Sequence, residues 1–218
     1  MWLTRLPGVY PPQDDTWLLG DALATASIPP GGDVLDVGCG TGALSVLTAR
    51  TRPRSITAAD LSRRAVLSTR LNTFCHGVRA RVTRGDALEL VHGRTFDLVV
   101  ANPPYVPGVA GVPCGRDRAW DAGVDGRAML DRLCAAAPRL LAPGGVLLLV
   151  HSGLCDEDTT LQQLHDGGLK AAVVARAEVP FGPVMRARAR RLCELGLVTD
   201  DQRTEELVVV RGDRPQSP

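Results

Sequence analysis

What this chain has little of narrows it first. Aromatic residues are only 4% of its 218 residues, and lysine occurs once, at Lys170, against many arginines. The formal net charge is +1, so no global field gathers polyanions, which counts against a nucleic-acid binder. None of the cysteines Cys39, Cys75, Cys114, Cys134, Cys155 and Cys193 forms a C-x-x-C pair, which argues against a structural zinc site or a disulfide framework and suits reduced thiols. His76, His92, His151 and His165 share no metal spacing, so no metal is expected. No apolar run approaches the ~20 residues that span a bilayer, and residues 1–8 lack a signal-like apolar core. A soluble, cytoplasmic protein without a membrane partner is the expectation. What is present, 44% hydrophobic and 22% charged residues, is ordinary globular usage and suits one α/β domain with a large core.

The most informative stretch is Ala101-Asn102-Pro103-Pro104-Tyr105, after the apolar run 96–100. A β-branched run that stops at two prolines reads as a buried strand delivering Asn102 into a crevice, because proline has no N–H for a sheet ladder. Such a tetrad suits a planar nitrogen that must attack an electrophile, since its lone pair is delocalised and its two hydrogens need acceptors. The side-chain oxygen of Asn102 and the carbonyl of Pro103 supply two acceptors, Pro104 stiffens the turn, and Tyr105 offers a ring face for stacking. The group that can use this site is a carboxamide or the exocyclic amine of a base.

Along the chain, residues 1–30 form an N-terminal segment in which Asp14, Asp15 and Thr16 are expected to cap a helix and charge its first turn. Strand 33–37 breaks into Gly38-Cys39-Gly40-Thr41-Gly42 and a helix from Ala43, a cradle in which glycine lets backbone approach a ligand. Strand 55–59 ends in Asp60, followed by Leu61. The carboxylate lies roughly 20 residues past the glycines, where ribose hydroxyls meet an acid in dinucleotide folds. Helix 62–75, capped by Ser62, and strand 79–83 lead to Gly85-Asp86-Ala87, where the Asp86 carboxylate can accept an adenine amino group. Residues 106–124 read as a long loop, either a segment gating the site or a surface excursion. Helix 125–140, strand 146–150, helix 156–166, strand 171–179, helix 184–195 and strand 206–211 follow, giving a mostly parallel sheet with helices on both faces. Residues 1–212 thus form one domain, and 213–218 are expected to be a disordered tail. Arg186, Arg188, Arg190 and Arg191 read as a solvated helical face rather than an RNA contact.

The glycine cradle also fits the loose dinucleotide pattern, which keeps an NAD-dependent oxidoreductase in view. Asp36 inside the strand separates the two, since a carboxylate there suits an ammonium and repels a pyrophosphate. S-adenosylmethionine carries an amino-acid end, a ribose and an adenine, matching Asp36, Asp60 and Asp86 in order.

Asp36-Val37-Gly38-Cys39-Gly40-Thr41-Gly42, Asp60, Gly85-Asp86-Ala87 and Asn102-Pro103-Pro104-Tyr105 resemble the ordered motifs of class I S-adenosylmethionine-dependent methyltransferases. More narrowly, with Tyr10-Pro11-Pro12-Gln13-Asp14-Asp15-Thr16 and Gly123-Val124-Asp125-Gly126, the chain resembles the release-factor glutamine methyltransferases. The resemblance implies a Rossmann-like, seven-stranded sheet with an antiparallel last strand, and methyl transfer to the glutamine of a Gly-Gly-Gln loop in a termination factor. It implies that Tyr10 and Thr16 lie near the cofactor, beside Gly38, Gly40, Gly42, Leu61 and Ala87. Only about 30 residues precede the cradle, whereas longer members carry an N-terminal helical domain. The compact form it resembles works with a small partner subunit. Adenine-N6 methylation of DNA or RNA, and methylation of a small-molecule nitrogen, are the alternatives.

Overall fold

The computed structural model describes residues 1–107, 123 and 125–216. Four largely apolar runs and one polar one, β3, form β1 (Asp33–Val37), β2 (Ser55–Asp60), β3 (Ala80–Arg84), β4 (Phe96–Ala101) and β5 (Leu141–Ser152), all paired in parallel. β6 (Lys170–Pro180) and β7 (Thr204–Asp213) complete a seven-stranded sheet of order β3-β2-β1-β4-β5-β7-β6, with β7 antiparallel to both of its neighbours. The central strands are buried on both faces and carry almost unbroken apolar sequence, as parallel strands under helices must. Burial along β6 alternates residue by residue, as expected of an edge strand with one open face.

The helices α1 (Asp14–Thr25), α2 (Ala43–Thr48), α3 (Arg63–Cys75), α4 (Ala87–Leu90), α5 (Ala128–Leu140), α6 (Glu157–Asp166) and α7 (Pro183–Glu194) connect these strands. Two apolar layers result. One joins Leu130, Leu133 and Leu140 of α5 and Leu164 of α6 to Leu147 and Leu149 of β5. The other sets Leu19 and Leu23 of α1 and Leu44 and Leu47 of α2 against Val34, Leu98 and Leu148. Odd and even residues of β5 therefore serve opposite cores, the period-two rule at work.

Two sequence expectations change. The cap position of α1 falls on Gln13 and makes no side-chain cap bond, while Asp14 and Asp15 sit inside the first turn. Asp15 is turned inward instead, for reasons that belong to the site. The tail expected to be loose from residue 213 is tied down in part. Asp213 ends β7, and Arg214 exchanges backbone bonds with Gly144 and Gly145 at 3.0 and 2.9 Å. The expected gating loop lies, apart from 106, 107 and 123, outside the described residues. Ser62 caps α3 as its position predicts, accepting from the amide of Ala65 at 3.3 Å.

Candidate active site

The chain runs from β1 outward to β3 and then returns to β4 on the other side of β1, so a crevice opens at the carboxyl ends of β1 and β4. There lies a cavity of about 410 Å³. Its floor is the glycine loop, with Gly38 and Gly40 at φ +70° and +55°. A Cβ on Gly38 would meet no protein atom within 4 Å, so it would occupy open space at the cavity rim rather than clash with the fold. Asp60 and Leu61 at the end of β2, Asp86 and Ala87 after β3, and Tyr10 and Thr16 from the N-terminal segment also line it.

Asp60 stiffens this cradle. Its Oδ2 accepts from the Gly40 amide at 3.0 Å and its Oδ1 from the Ser62 amide at 2.8 Å. Burial raises its pKa, partly offset by those two amides. Asp86 differs. Its Oδ1 accepts from the Leu88 amide at 2.9 Å, capping α4, and its Oδ2 pairs with Arg132 of α5 at 2.6 Å. Burial alone would raise the Asp86 pKa, but Arg132 and the helix amide outweigh it and hold the carboxyl below its ordinary range. The cavity therefore meets Asp86 as half of an ion pair, not as the free adenine acceptor that its sequence position suggests.

Two more predicted cofactor residues lie behind the wall. Asp36 is 0% exposed and faces the α1/α2 side of the sheet, because β1 alternates its side chains. Its Oδ2 accepts from the Ser45 hydroxyl of α2 at 2.5 Å, and its Oδ1 has no partner. Burial pushes its pKa up to about 7, against the Ser45 hydrogen bonds and with a smaller contribution from Asp60. Gly42, at φ +82°, packs α2 on α3, since a Cβ there would come within 2.9 Å of Thr69. Both shape the loop from beneath.

Asn102, Pro103 and Pro104 line this cavity and also a second one of about 60 Å³, so they form the partition between the two. Tyr105 lines only the second, and its ring is 8% exposed. The stacking platform expected of Tyr105 is instead a buried strut. Its hydroxyl donates to Asp15 Oδ2 at 3.0 Å, and its carbonyl receives Cys155 Sγ at 3.0 Å. Gly126 fits beneath it, since a Cβ there would lie 2.3 Å from the Tyr105 oxygen. Burial and the nearby Asp15 charge raise the Tyr105 phenol well above its usual pKa, so it remains a donor.

The Tyr105 contact is one link of a chain. The Tyr10 hydroxyl also donates to Asp15 Oδ2, at 3.0 Å. The Thr16 amide and hydroxyl donate to Asp15 Oδ1 at 2.6 and 3.1 Å. With its proton on Asp15, the Thr16 oxygen accepts from Asn102 Nδ2 at 3.2 Å. That fixes which way the Asn102 amide points, leaving Oδ1 as the acceptor open to a ligand. Sequence reading placed Thr16 beside the cofactor and missed its grip on Asn102. It also missed Arg132 and Met129 of α5, which complete the wall. Arg186, Arg190 and Arg191 are exposed, while Arg188 donates to the Pro107 carbonyl at 3.2 Å. Among the described residues no group of three or more His, Cys, Asp or Glu is placed to hold a metal, and no helix is long and apolar enough to cross a membrane.

Residues 1–116 match the family described as Methyltransferase small domain. A Methanocaldococcus jannaschii protein, whose naming as a protein N5-glutamine methyltransferase is itself an unproven assignment, is 34% identical over 188 residues, 85% of this chain and 93% of that one. The Geobacter sulfurreducens release factor glutamine methyltransferase is 32% identical over 163 residues, 71% of this chain but 57% of that protein. Among solved structures, the E. cuniculi Mtq2–Trm112 complex, which methylates the eRF1 termination factor, matches with a TM-score of 0.67. It covers 95% of this chain and 99% of that one at 24% identity, a likeness of fold.

Proposed function

The chain belongs to the methyltransferase small domain family and is a class I, S-adenosylmethionine-dependent methyltransferase, and from that premise we propose that its acceptor is a protein glutamine, the one in the Gly-Gly-Gln loop of a translation termination factor. The observation that carries this reading is the partition. An amide nitrogen brought to it would meet Asn102 Oδ1, whose direction Thr16 sets, with Pro103 beside it to offer its carbonyl, on the wall shared with the cofactor-sized cavity.

The cavity suits the cofactor by its chemistry: the half-buried Asp60 carboxylate and a glycine floor, with Arg132 already spent on Asp86. In this reading Asp60 holds the ribose hydroxyls, Leu61 and Ala87 flank the base, and Gly38 and Gly40 admit the backbone-close portion. Asp36 and Gly42 support that floor, and Tyr10 and Thr16 close the mouth. The cofactor, when bound, supplies a sulfonium methyl as electrophile. The chain's own work is on the nitrogen. Asn102 and Pro103 draw the two amide hydrogens to one side, which favours a pyramidal nitrogen and a localised lone pair, an interaction that strengthens toward the transition state. No group of the tetrad takes the proton; it leaves with solvent after the new bond forms.

Pairing with a small partner subunit belongs to the same proposal. Its support is an apolar stripe, Leu67, Leu71 and Phe74, along α3 beside the edge strand β3. Action on termination factors makes the cytoplasm the expected compartment.

The test is incubation with labelled S-adenosylmethionine and a termination factor, with mass spectrometry to locate the methyl group. Asn102→Ala is expected to bind the cofactor nearly as well as the parent and to lose on the order of 100-fold in turnover. Label confined to nucleic acid or small molecules, or full turnover in that variant, rejects the reading.

A further inference from the structure

Residues 1–8 lie against α3, and none of them is buried. What holds them is polar. Arg64, Ser68 and Asn72 recur every four residues and so form one stripe along α3. The Asn72 amide pairs with the Thr4 main chain in both senses, its Oδ1 accepting from the Thr4 N–H at 2.7 Å and its Nδ2 donating to the Thr4 carbonyl at 2.8 Å. Ser68 Oγ accepts from the Leu6 amide at 3.2 Å, and the Arg64 guanidinium donates to the Pro7 carbonyl at 3.0 Å. The chain then turns at Gly8, φ +83°, with the Val9 amide returning to the Leu6 carbonyl at 3.1 Å. Gly8, Val9, Tyr10 and Pro12 line the larger cavity, and Asp15 of α1 holds the Tyr10 hydroxyl.

This strap, running from α3 to α1 along the cofactor cavity, has one firm end and one weak one. At the α1 end, a buried carboxylate holds Tyr10, and Val9 is itself buried. At the α3 end, the bonds go to main-chain groups of exposed and half-buried residues, where water can take their place, and segments held in that way open at low cost. We propose that Arg64, Ser68 and Asn72 are the latch of this strap, and that its release from α3 is the step by which S-adenosylmethionine enters the cavity and its demethylated product leaves. This rests on the cofactor placement above and adds the route to it. Asn72 also donates to the Thr41 carbonyl of the glycine loop at 2.8 Å, so the side chain that fastens the strap steadies the cavity floor as well. A gate and a wall differ in their rates. The latch bonds involve no ligand atom, so weakening them raises the open population by the same factor whether the cavity is filled or empty. Association and dissociation then quicken together and affinity is kept, whereas loss of a contacting wall quickens dissociation alone.

The experiment measures association and dissociation rates of S-adenosylmethionine by surface plasmon resonance on the immobilised protein. It compares the parent, the double variant Arg64→Met with Ser68→Ala, and the control Arg70→Met, which loses the same charge and a bond from α3 to the Val82 carbonyl of β3 at 2.8 Å. The double variant gives up two latch bonds and leaves Asn72 on the glycine loop. Both of its rates are expected to rise about ten- to thirtyfold, the worth of two hydrogen bonds, with the dissociation constant within about threefold of the parent and the control like the parent. Rates within twofold of the parent overturn the gate. Faster dissociation at unchanged association also overturns it, since residues 8–12 are then a wall and nothing more, and so does an equal rise in the control, which marks a general loosening of α3. A parent that binds no S-adenosylmethionine by calorimetry overturns the cofactor placement and the gate with it; that outcome is read on the unsubstituted protein, before any rate.

Discussion

At the scale of single residues, the site turns on the orientation of one amide. Asn102 projects from the last position before two prolines, yet its direction is set 86 residues earlier, by Thr16. Thr16→Val removes both the oxygen that receives Asn102 Nδ2 and the hydroxyl that donates to Asp15, so the amide is free to rotate. Turnover is expected to fall about tenfold, and Thr16→Ser to restore it, since serine keeps both bonds. Steady-state kcat decides it: a valine variant with parental kcat would show that the amide needs no such anchor. The tetrad was readable from sequence because its residues are consecutive and its chemistry local. What holds it was not. The partners of Asp15 and Asp86 lie up to 90 residues away, and no spacing rule links Asp86 to Arg132 or Tyr105 to Asp15. Asp36 illustrates the opposite error: a carboxylate in the right motif, pointed by strand alternation into the fold and away from the cavity.

At the scale of elements, the glycine loop depends on how closely α2 and α3 approach. Gly42 stands at the left-handed turn that starts α2, and Thr69 of α3 packs against it while donating to the Gly40 carbonyl at 3.0 Å. Gly42→Ala asks an L-residue to take φ +82° and sets its Cβ 2.9 Å from Thr69 Cγ2. The expected cost is about 2 kcal/mol, which for a domain of this size lowers Tm by roughly 4–8 °C. Thermal unfolding measures it directly. Cofactor affinity should weaken too, since Gly40 and Thr69 must part. A variant with parental Tm would mean that α3 yields without cost. Most element boundaries were legible because the apolar runs are strong and bounded by glycine and proline, as at β1 and β4. The α1 cap was misplaced because Asp15 lies inside the first turn and holds two tyrosine hydroxyls along with the neighbouring Thr16 amide, a tertiary demand that overrides a local preference.

At the scale of the whole molecule, the topology gathers buried and half-buried acid along one rim of the sheet, where β1 and β2 end and β7 begins. Asp36, Asp60 and Glu205 all have carboxyl groups raised by burial. Two of them border cavities, where a ligand can repay their desolvation; Asp36 lies under the loop with one oxygen unpaired. Its folded-state pKa, about 7 against an ordinary 3.8, fixes the sign of its effect. Because the folded chain holds the proton more tightly than the unfolded chain, the contribution of Asp36 is fully favourable below about pH 4 and is lost as pH rises through 7. The difference amounts to about 4 kcal/mol over that window, at 1.36 kcal/mol per pH unit. Asp33 and Asp86, with lowered pKa values, act in the opposite sense, their stabilisation fading only as pH falls through the acid range. Asp36→Asn isolates the effect, since asparagine still accepts from Ser45 but cannot ionise. With cofactor absent, denaturant titration at pH 5 and pH 8 should show the parent losing about 3 kcal/mol more than the variant between the two. Parallel losses in both proteins would mean that Asp36 is already ionised at pH 5 and that water or backbone motion reaches the oxygen now seen without a partner.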